Sequence, residues 1–269
     1  LSADDRFAEL GRPRTIWAVS AIHGEIERLM AMHDTLLQRV KPGDRVVYLG
    51  NYGGPGGSAV DVIDELLAFR RYLISQPGML PNDLIFLRGS QEEIWNKLLQ
   101  IQFAPNPRDV FAWMVRNGAA AMLQSYGFTA VEGEAATRDG APTMTRWTNK
   151  LRAAIRQHPG HERFMTVLRR AAFTDRTESG AVLLVHSGLT PQRPLAAQKD
   201  SFWWDHAGFD HLAEPYEGFS RVIRGCDPAG RGVILGHVGV TLDGRAGYGG
   251  PLVTGRILPT GEIVELIEA

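Results

Sequence analysis

The chain has 269 residues, a formal net charge of -1 and one cysteine, with 44% hydrophobic and 22% charged residues. That length suits one large α/β domain or two small ones, and the near-neutral balance excludes the broad cationic surface that nucleic-acid binding calls for. The lone Cys226 excludes an internal disulfide and a cysteine-rich zinc site, and no apolar run reaches the roughly 18–20 residues of a membrane span. Leu1-Ser2-Ala3-Asp4-Asp5-Arg6 is polar and lacks the apolar core of a secretory signal, so a cytoplasmic protein with no membrane contact is expected.

Residues 15–20 form a β-branched and aromatic run that enters Gly24, and Ile26, Leu29, Met30, His33, Leu36 and Leu37 then recur at helical spacing. After the turn Lys41-Pro42-Gly43-Asp44, residues 45–50 read as a second buried strand, followed by a Gly-rich loop at 53–57 and a helix over 59–73. Residues 83–87 predict a third strand, leading through Arg88-Gly89-Ser90 into a helix at 92–100. Three strand–loop–helix units of this length predict right-handed crossovers on a parallel sheet. In such sheets the working crevice lies at the carboxyl ends of the strands, which puts loops 20–24, 50–57 and 89–92 on one rim. The stretch 101–175 reads as mostly helical, with a mobile loop expected at 132–142. Strand patterns resume at 181–185, 232–235, 251–257 and 262–267, the last two joined by the hairpin signal Pro259-Thr260-Gly261.

The rim loops carry a family likeness. Ser20-Ala21-Ile22-His23-Gly24 resembles the Asp-x-His-Gly motif of the calcineurin-like metallophosphoesterases. Gly50-Asn51-Tyr52-Gly53-Gly54-Pro55-Gly56 resembles their Gly-Asp-x-x-Asp-Arg-Gly, and Gly89-Ser90-Gln91-Glu92 their Gly-Asn-His-Glu. Val185-His186-Ser187-Gly188-Leu189 is similar to their Val-His-Ala-Gly-Leu, and Gly236-His237-Val238 to their Gly-His-Thr. Asn117-Gly118 and Ser125-Tyr126-Gly127 resemble the helical insertion of bacterial members related to serine/threonine protein phosphatases. The resemblance implies a single α/β domain over 1–269, a four-layer α/β/β/α sandwich with a helical insertion at about 101–175.

In that family two divalent ions about 3.5–4 Å apart clamp the phosphoryl oxygens and activate a water. A shared carboxylate offsets their charge, a histidine protonates the leaving oxygen and an arginine grips the phosphate. Here Ala21 stands at the first aspartate, Asn51 at the bridging aspartate, Gly54 and Pro55 at the Asp-Arg pair, Ser90 at the asparagine ligand and Gln91 at the proton-donating histidine. A methyl group cannot coordinate, and an amide cannot donate a proton near neutral pH. His23, His186 and His237 remain.

Two readings follow. In the first, the chain is a catalytically inactive phosphoesterase-fold protein without a cofactor, acting as a binding, assembly or regulatory module. Its partner would be a protein, including a related phosphatase, or a phosphorylated ligand in the vacated cleft. In the second, His23, His186 and His237, with Asn51 as a weak fourth ligand, hold one zinc, manganese or iron ion for a rearranged hydrolase whose base would be Glu92 or Asp205. Phe202-Trp203-Trp204-Asp205-His206 is expected to pack under a loop.

Overall fold

A computed structural model describes residues 6–176 and 180–269. Residues 1–5, part of the polar stretch read above, lie outside them. In chain order the structure runs β1 (Phe7–Gly11), β2 (Ile16–Val19), α1 (Ile26–Arg39), β3 (Arg45–Tyr48), α2 (Ala59–Ser75), β4 (Leu84–Phe86) and α3 (Ser90–Leu98). Five helices follow: α4 (Pro107–Met114), α5 (Ala120–Ser125), α6 (Ala130–Arg138), α7 (Ala141–Gln157) and α8 (His161–Val167). The rest is β5 (Ala171–Thr174), β6 (Val182–Val185), short helices α9 (Ser201–Trp204) and α10 (His206–Asp210), β7 (Arg221–Arg224), β8 (Ile234–Leu235), β9 (Gly239–Thr241), β10 (Val253–Ile257) and β11 (Ile263–Glu268).

The strands form two sheets, ordered β11-β10-β2-β3-β4 and β1-β5-β6-β7-β9-β8. β2, β3 and β4 are parallel, as the three crossover units predict, and β10 and β11 form the expected antiparallel hairpin. Alternation of side chains across each strand builds the layers. From the first sheet Trp17, Val19, Val46, Tyr48 and Phe86 face α1 and α2, meeting Leu29, Met32, Leu36, Ile63 and Leu66. Their neighbours Ile16, Ala18, Val47 and Ile85 face the second sheet and pack on Ala172, Val182, Leu184, Ile223 and Val240. The far face of that sheet, with Leu183, Val185 and Val222, is covered by Phe202, Trp203, Phe209 and Phe219. Helix, sheet, sheet, helix is the four-layer sandwich. Each fully buried aliphatic side chain in these layers contributes about 1.5–3 kcal/mol.

Helices α3 to α7 share their own core of Trp95, Phe111, Met114, Leu123, Trp147, Leu151 and Ile155. The loop expected at 132–142 is instead mostly helix. Thr129 Oγ1 accepts from Glu132 N (3.3 Å) while Glu132 Oε2 accepts from Thr129 N (2.7 Å), a capping box that starts α6 inside a polar stretch. The strand expected at 232–235 shrinks to Ile234–Leu235, an exposed edge. β7 carries an arginine at each end; Arg224, 1% exposed, is held by Asp210 Oδ1 (2.9 Å), Asp227 Oδ1 (3.3 Å) and Thr241 Oγ1 (2.9 Å) over the Phe209 ring.

Candidate active-site cleft

The loops after β2, β3 and β4 meet those after β6 and β7 where the two sheets open. They are stitched by backbone bonds: Ile22 N and His23 N donate to Asn51 O (3.1 and 2.8 Å), Ala21 N to Gly225 O (2.9 Å), and Gly225 N and Cys226 N to His186 O (both 3.0 Å). His23 (φ 54°) and Asn51 (φ 53°) sit in the left-handed region, a conformation that costs about 1–3 kcal/mol each and is held by the surrounding bonds. Gly50 (φ +93°) approaches so closely that a Cβ there would lie 2.6 Å from Gly89 N. Glu92 fastens the frame by accepting from Asn51 N (2.9 Å), Tyr52 N (2.9 Å) and Gly89 N (2.8 Å).

These loops floor a cleft of about 640 Å³. One wall comes from the helical insertion. α4 ends in a kink at Val115–Ala119, where Asn117 (φ -104°) and Gly118 (φ +105°) leave helical geometry before α5 begins. Gln91 Nε2 donates to Asn117 O (2.9 Å), tying that kink to the rim. Trp113, Arg116, Trp204, His206, Arg245 and Tyr248 complete the walls. Trp113 and Trp204 meet edge-to-face at 5.6 Å, and Tyr248 leans edge-on to His23 at 5.3 Å. The aromatic run 202–206 therefore divides: Phe202 is core as expected, Trp203 is buried but borders the cleft, and Trp204 and His206 face it.

The three histidines do not come together. His23 lines the cleft, buried, with Nδ1 lacking any partner. His186 lies fully buried below the floor; its Nδ1–H donates to Leu49 O (2.7 Å), leaving Nε2 unpartnered. His237 is exposed in the turn between β8 and β9 and does not line the cleft. The strand that reaches the rim is β7, and the residues it delivers are Gly225, Cys226 and Asp227. The position assigned to His237 is thus filled by Cys226, whose Sγ accepts from Asn51 Nδ2 at 3.6 Å. Burial alone lowers the pKa of His23 to about 4, and burial chiefly lowers that of His186 to about 3, so both rings are neutral at pH 7. Burial pushes the Cys226 thiol up, which keeps it protonated.

The donors present do not fit a pair of divalent ions. Ala21 is a buried methyl group. Asn51 Oδ1 already accepts from Ser90 Oγ (3.1 Å) and Gln91 N (2.9 Å). A Cβ on Gly54 would lie 2.8 Å from His23 Nδ1, so the chain has closed over the place of the second aspartate. The carboxylates that do line the cleft are engaged. Asp227 binds Arg231 (2.7 Å) and Arg224, and Asp243 accepts from Asp227 N (2.8 Å) and Arg245 N (2.7 Å). Glu92 and Asp205, the bases suggested by sequence, are also committed, Glu92 to the three amides above and Asp205 to Gly208 N (2.9 Å) and Thr190 Oγ1. Four positive charges would meet bare imidazoles and no free carboxylate, an arrangement with a large desolvation cost and no compensation.

No family model matches the chain, and no curated protein matches it. Solved structures do. A candidate diadenosine tetraphosphatase superposes with a TM-score of 0.55 at 16% identity, covering 98% of both chains. The chain has the calcineurin-like phosphoesterase fold. A Saccharomyces cerevisiae protein serine/threonine phosphatase gives a TM-score of 0.49 at 14% identity, over 98% of this chain and 82% of that one. A protein-tyrosine phosphatase of a psychrophilic Shewanella gives 0.48 at 12% identity, over 98% and 82%. Among the described residues no helix is long and apolar enough to cross a membrane.

Proposed function

We propose that this phosphoesterase-fold chain has given up two-metal phosphoryl transfer and works as a binding module through the same cleft. One observation carries the reading: where a bridging carboxylate would stand is an amide, Asn51, whose oxygen is already bonded to Ser90 and Gln91. Without that carboxylate the ions that would activate water have no shared ligand, and Gln91 supplies no proton to a leaving group. What persists is a wall of Trp113, Trp204 and Tyr248 beside the cations of Arg116 and Arg245, which suits a phosphorylated group presented on a small molecule or a partner protein. The one-metal hydrolase finds no support, since His237 lies outside the cleft and His186 beneath it.

The test pairs two measurements. Hydrolysis of an aryl phosphate with added manganese is expected to stay at background. Phenyl phosphate is expected to bind, with Arg245→Ala weakening it. Turnover abolished by His23→Ala or His186→Ala would overturn the reading, as would failure of phenyl phosphate to bind.

A further inference from the structure

Away from the cleft, on the outer side of α2, three metal-ligating side chains converge. Asp64 comes from α2, His158 from the C-cap of α7 and His161 from the first residue of α8. The sharp turn His158-Pro159-Gly160, with Gly160 at φ +91° against Leu67 of α2, folds the second histidine back onto the first. Their rings lie 5.0 Å apart at 30°. One ligand atom from each of the three side chains lies within 4.8 Å of the other two. Among the described residues no other three histidine, cysteine or acidic groups meet this way.

The molecule supplies its own control. His33 sits in a Tyr–His–carboxylate chain, with Nδ1 2.5 Å from Glu65 Oε1 and Nε2 2.8 Å from Tyr48 OH. His161 sits in a second such chain, with Nδ1 2.8 Å from Tyr126 OH and Nε2 3.1 Å from Asp64 Oδ1. The carboxylates are consecutive residues of one helix. The first chain is closed tight and involves no third group. The second, at an ordinary hydrogen-bond distance of 3.1 Å, has another imidazole beside it, which a hydrogen-bond chain alone does not require. Two ligands on a tetrahedral zinc with bonds of about 2.0–2.1 Å stand about 3.3 Å apart, so the His161–Asp64 pair is already at ligand spacing. Tyr126 holds the far nitrogen of His161, as an outer partner does for a metal-bound imidazole.

We propose that Asp64, His158 and His161 bind one zinc ion, with the fourth position open to solvent. Two neutral imidazoles and a carboxylate are a donor set that favours zinc over magnesium or calcium. The ion would staple α2, which covers the first sheet, to the α7–α8 turn of the helical insertion, and so fix the insertion that walls the cleft.

The experiment uses the full chain freed of metal by chelation and titrated with cobalt(II), then with competing zinc. One equivalent is expected, giving the visible absorption of four-coordinate cobalt, displaced by zinc and accompanied by a rise in Tm. Asp64→Asn and His158→Ala, both outside the core, are expected to weaken binding by at least about 10–100-fold, the range seen for loss of an outer partner alone. Their metal-free melting should match that of the metal-free parent, which separates lost ligation from lost folding. His186→Ala should leave the cobalt signal unchanged. Absence of binding by the parent chain would overturn the proposal. So would binding that survives His158→Ala and disappears in His186→Ala, which would place the ion under the cleft.

Discussion

Two places in this molecule gather imidazoles, and they differ in what faces them. In the cleft wall and just beneath it, His23 Nδ1 and His186 Nε2 are buried with no partner and no free carboxylate beside them. Between α2 and the α7–α8 turn, His161 faces Asp64 and a second ring, His158. Two buried imidazoles with neither a third ligand nor a carboxylate beside them make a poor cation site. An unaccompanied buried imidazole loses its proton and becomes a small polar core group, whereas one facing a carboxylate keeps an electrostatic reason to hold a cation. At the rim the carboxylates of Glu92, Asp227 and Asp243 are engaged by amides and arginines, whereas on the helical side Asp64 faces an imidazole directly.

The largest effect that can break this comparison lies in the frame of the cleft. Glu92→Ala removes the acceptor of three buried amides, and at about 1–3 kcal/mol per orphaned donor the loss is expected near 4 kcal/mol in urea unfolding. A loss below about 1 kcal/mol would mean that the rim is not held this way.

Next comes the acid response of the cleft histidines. Their folded pKa values, about 4 and about 3, lie below the unfolded value near 6.5. Between those limits the unfolded chain binds more protons than the folded one, so stability is full above pH 6.5 and falls as pH drops toward 4. His23 alone accounts for a change on the order of 3 kcal/mol across that window. The urea midpoint of His23→Gln should therefore fall less steeply with acid than that of the parent, and parallel profiles would contradict the neutral, unpartnered ring.

Restoring the acids sharpens the contrast from the other side. A variant carrying Ala21→Asp, Asn51→Asp, Ser90→Asn and Cys226→His is expected to be less stable than the parent without metal, because it buries unpaired carboxylates. Manganese at a hundred times its Kd should then return about 2.7 kcal/mol, a gain that the parent does not show. The smallest effect is on the helical side. Tyr126→Phe removes the hydroxyl on His161 Nδ1 and should cost about 1 kcal/mol without altering the cleft, as followed by thermal melting and phenyl phosphate binding.

The parallel strands, their crossover helices and the rim loops were readable in sequence because each strand is an apolar run ending at a glycine, such as Gly24, Gly50 or Gly89. β7 was not, because Arg221-Val222-Ile223-Arg224 shows two charges in four residues, and only the buried pairing of Arg224 with Asp210 and Asp227 makes it a strand. That concealed Cys226 and drew attention to His237, which follows a more apolar stretch but sits on an exposed edge. α6 was hidden by composition, its Thr129–Glu132 box being the signal that could have revealed it. The Asp64–His158–His161 meeting spans 97 residues and three helices, and only the His-x-x-His spacing hinted at it.

The most direct measurement is metal content per chain after saturation with manganese and zinc and removal of excess. The expected result is no retained manganese and a single zinc, kept in His186→Ala and lost in Asp64→Asn. Two ions per chain, both lost in His186→Ala, would contradict a dismantled two-metal cleft.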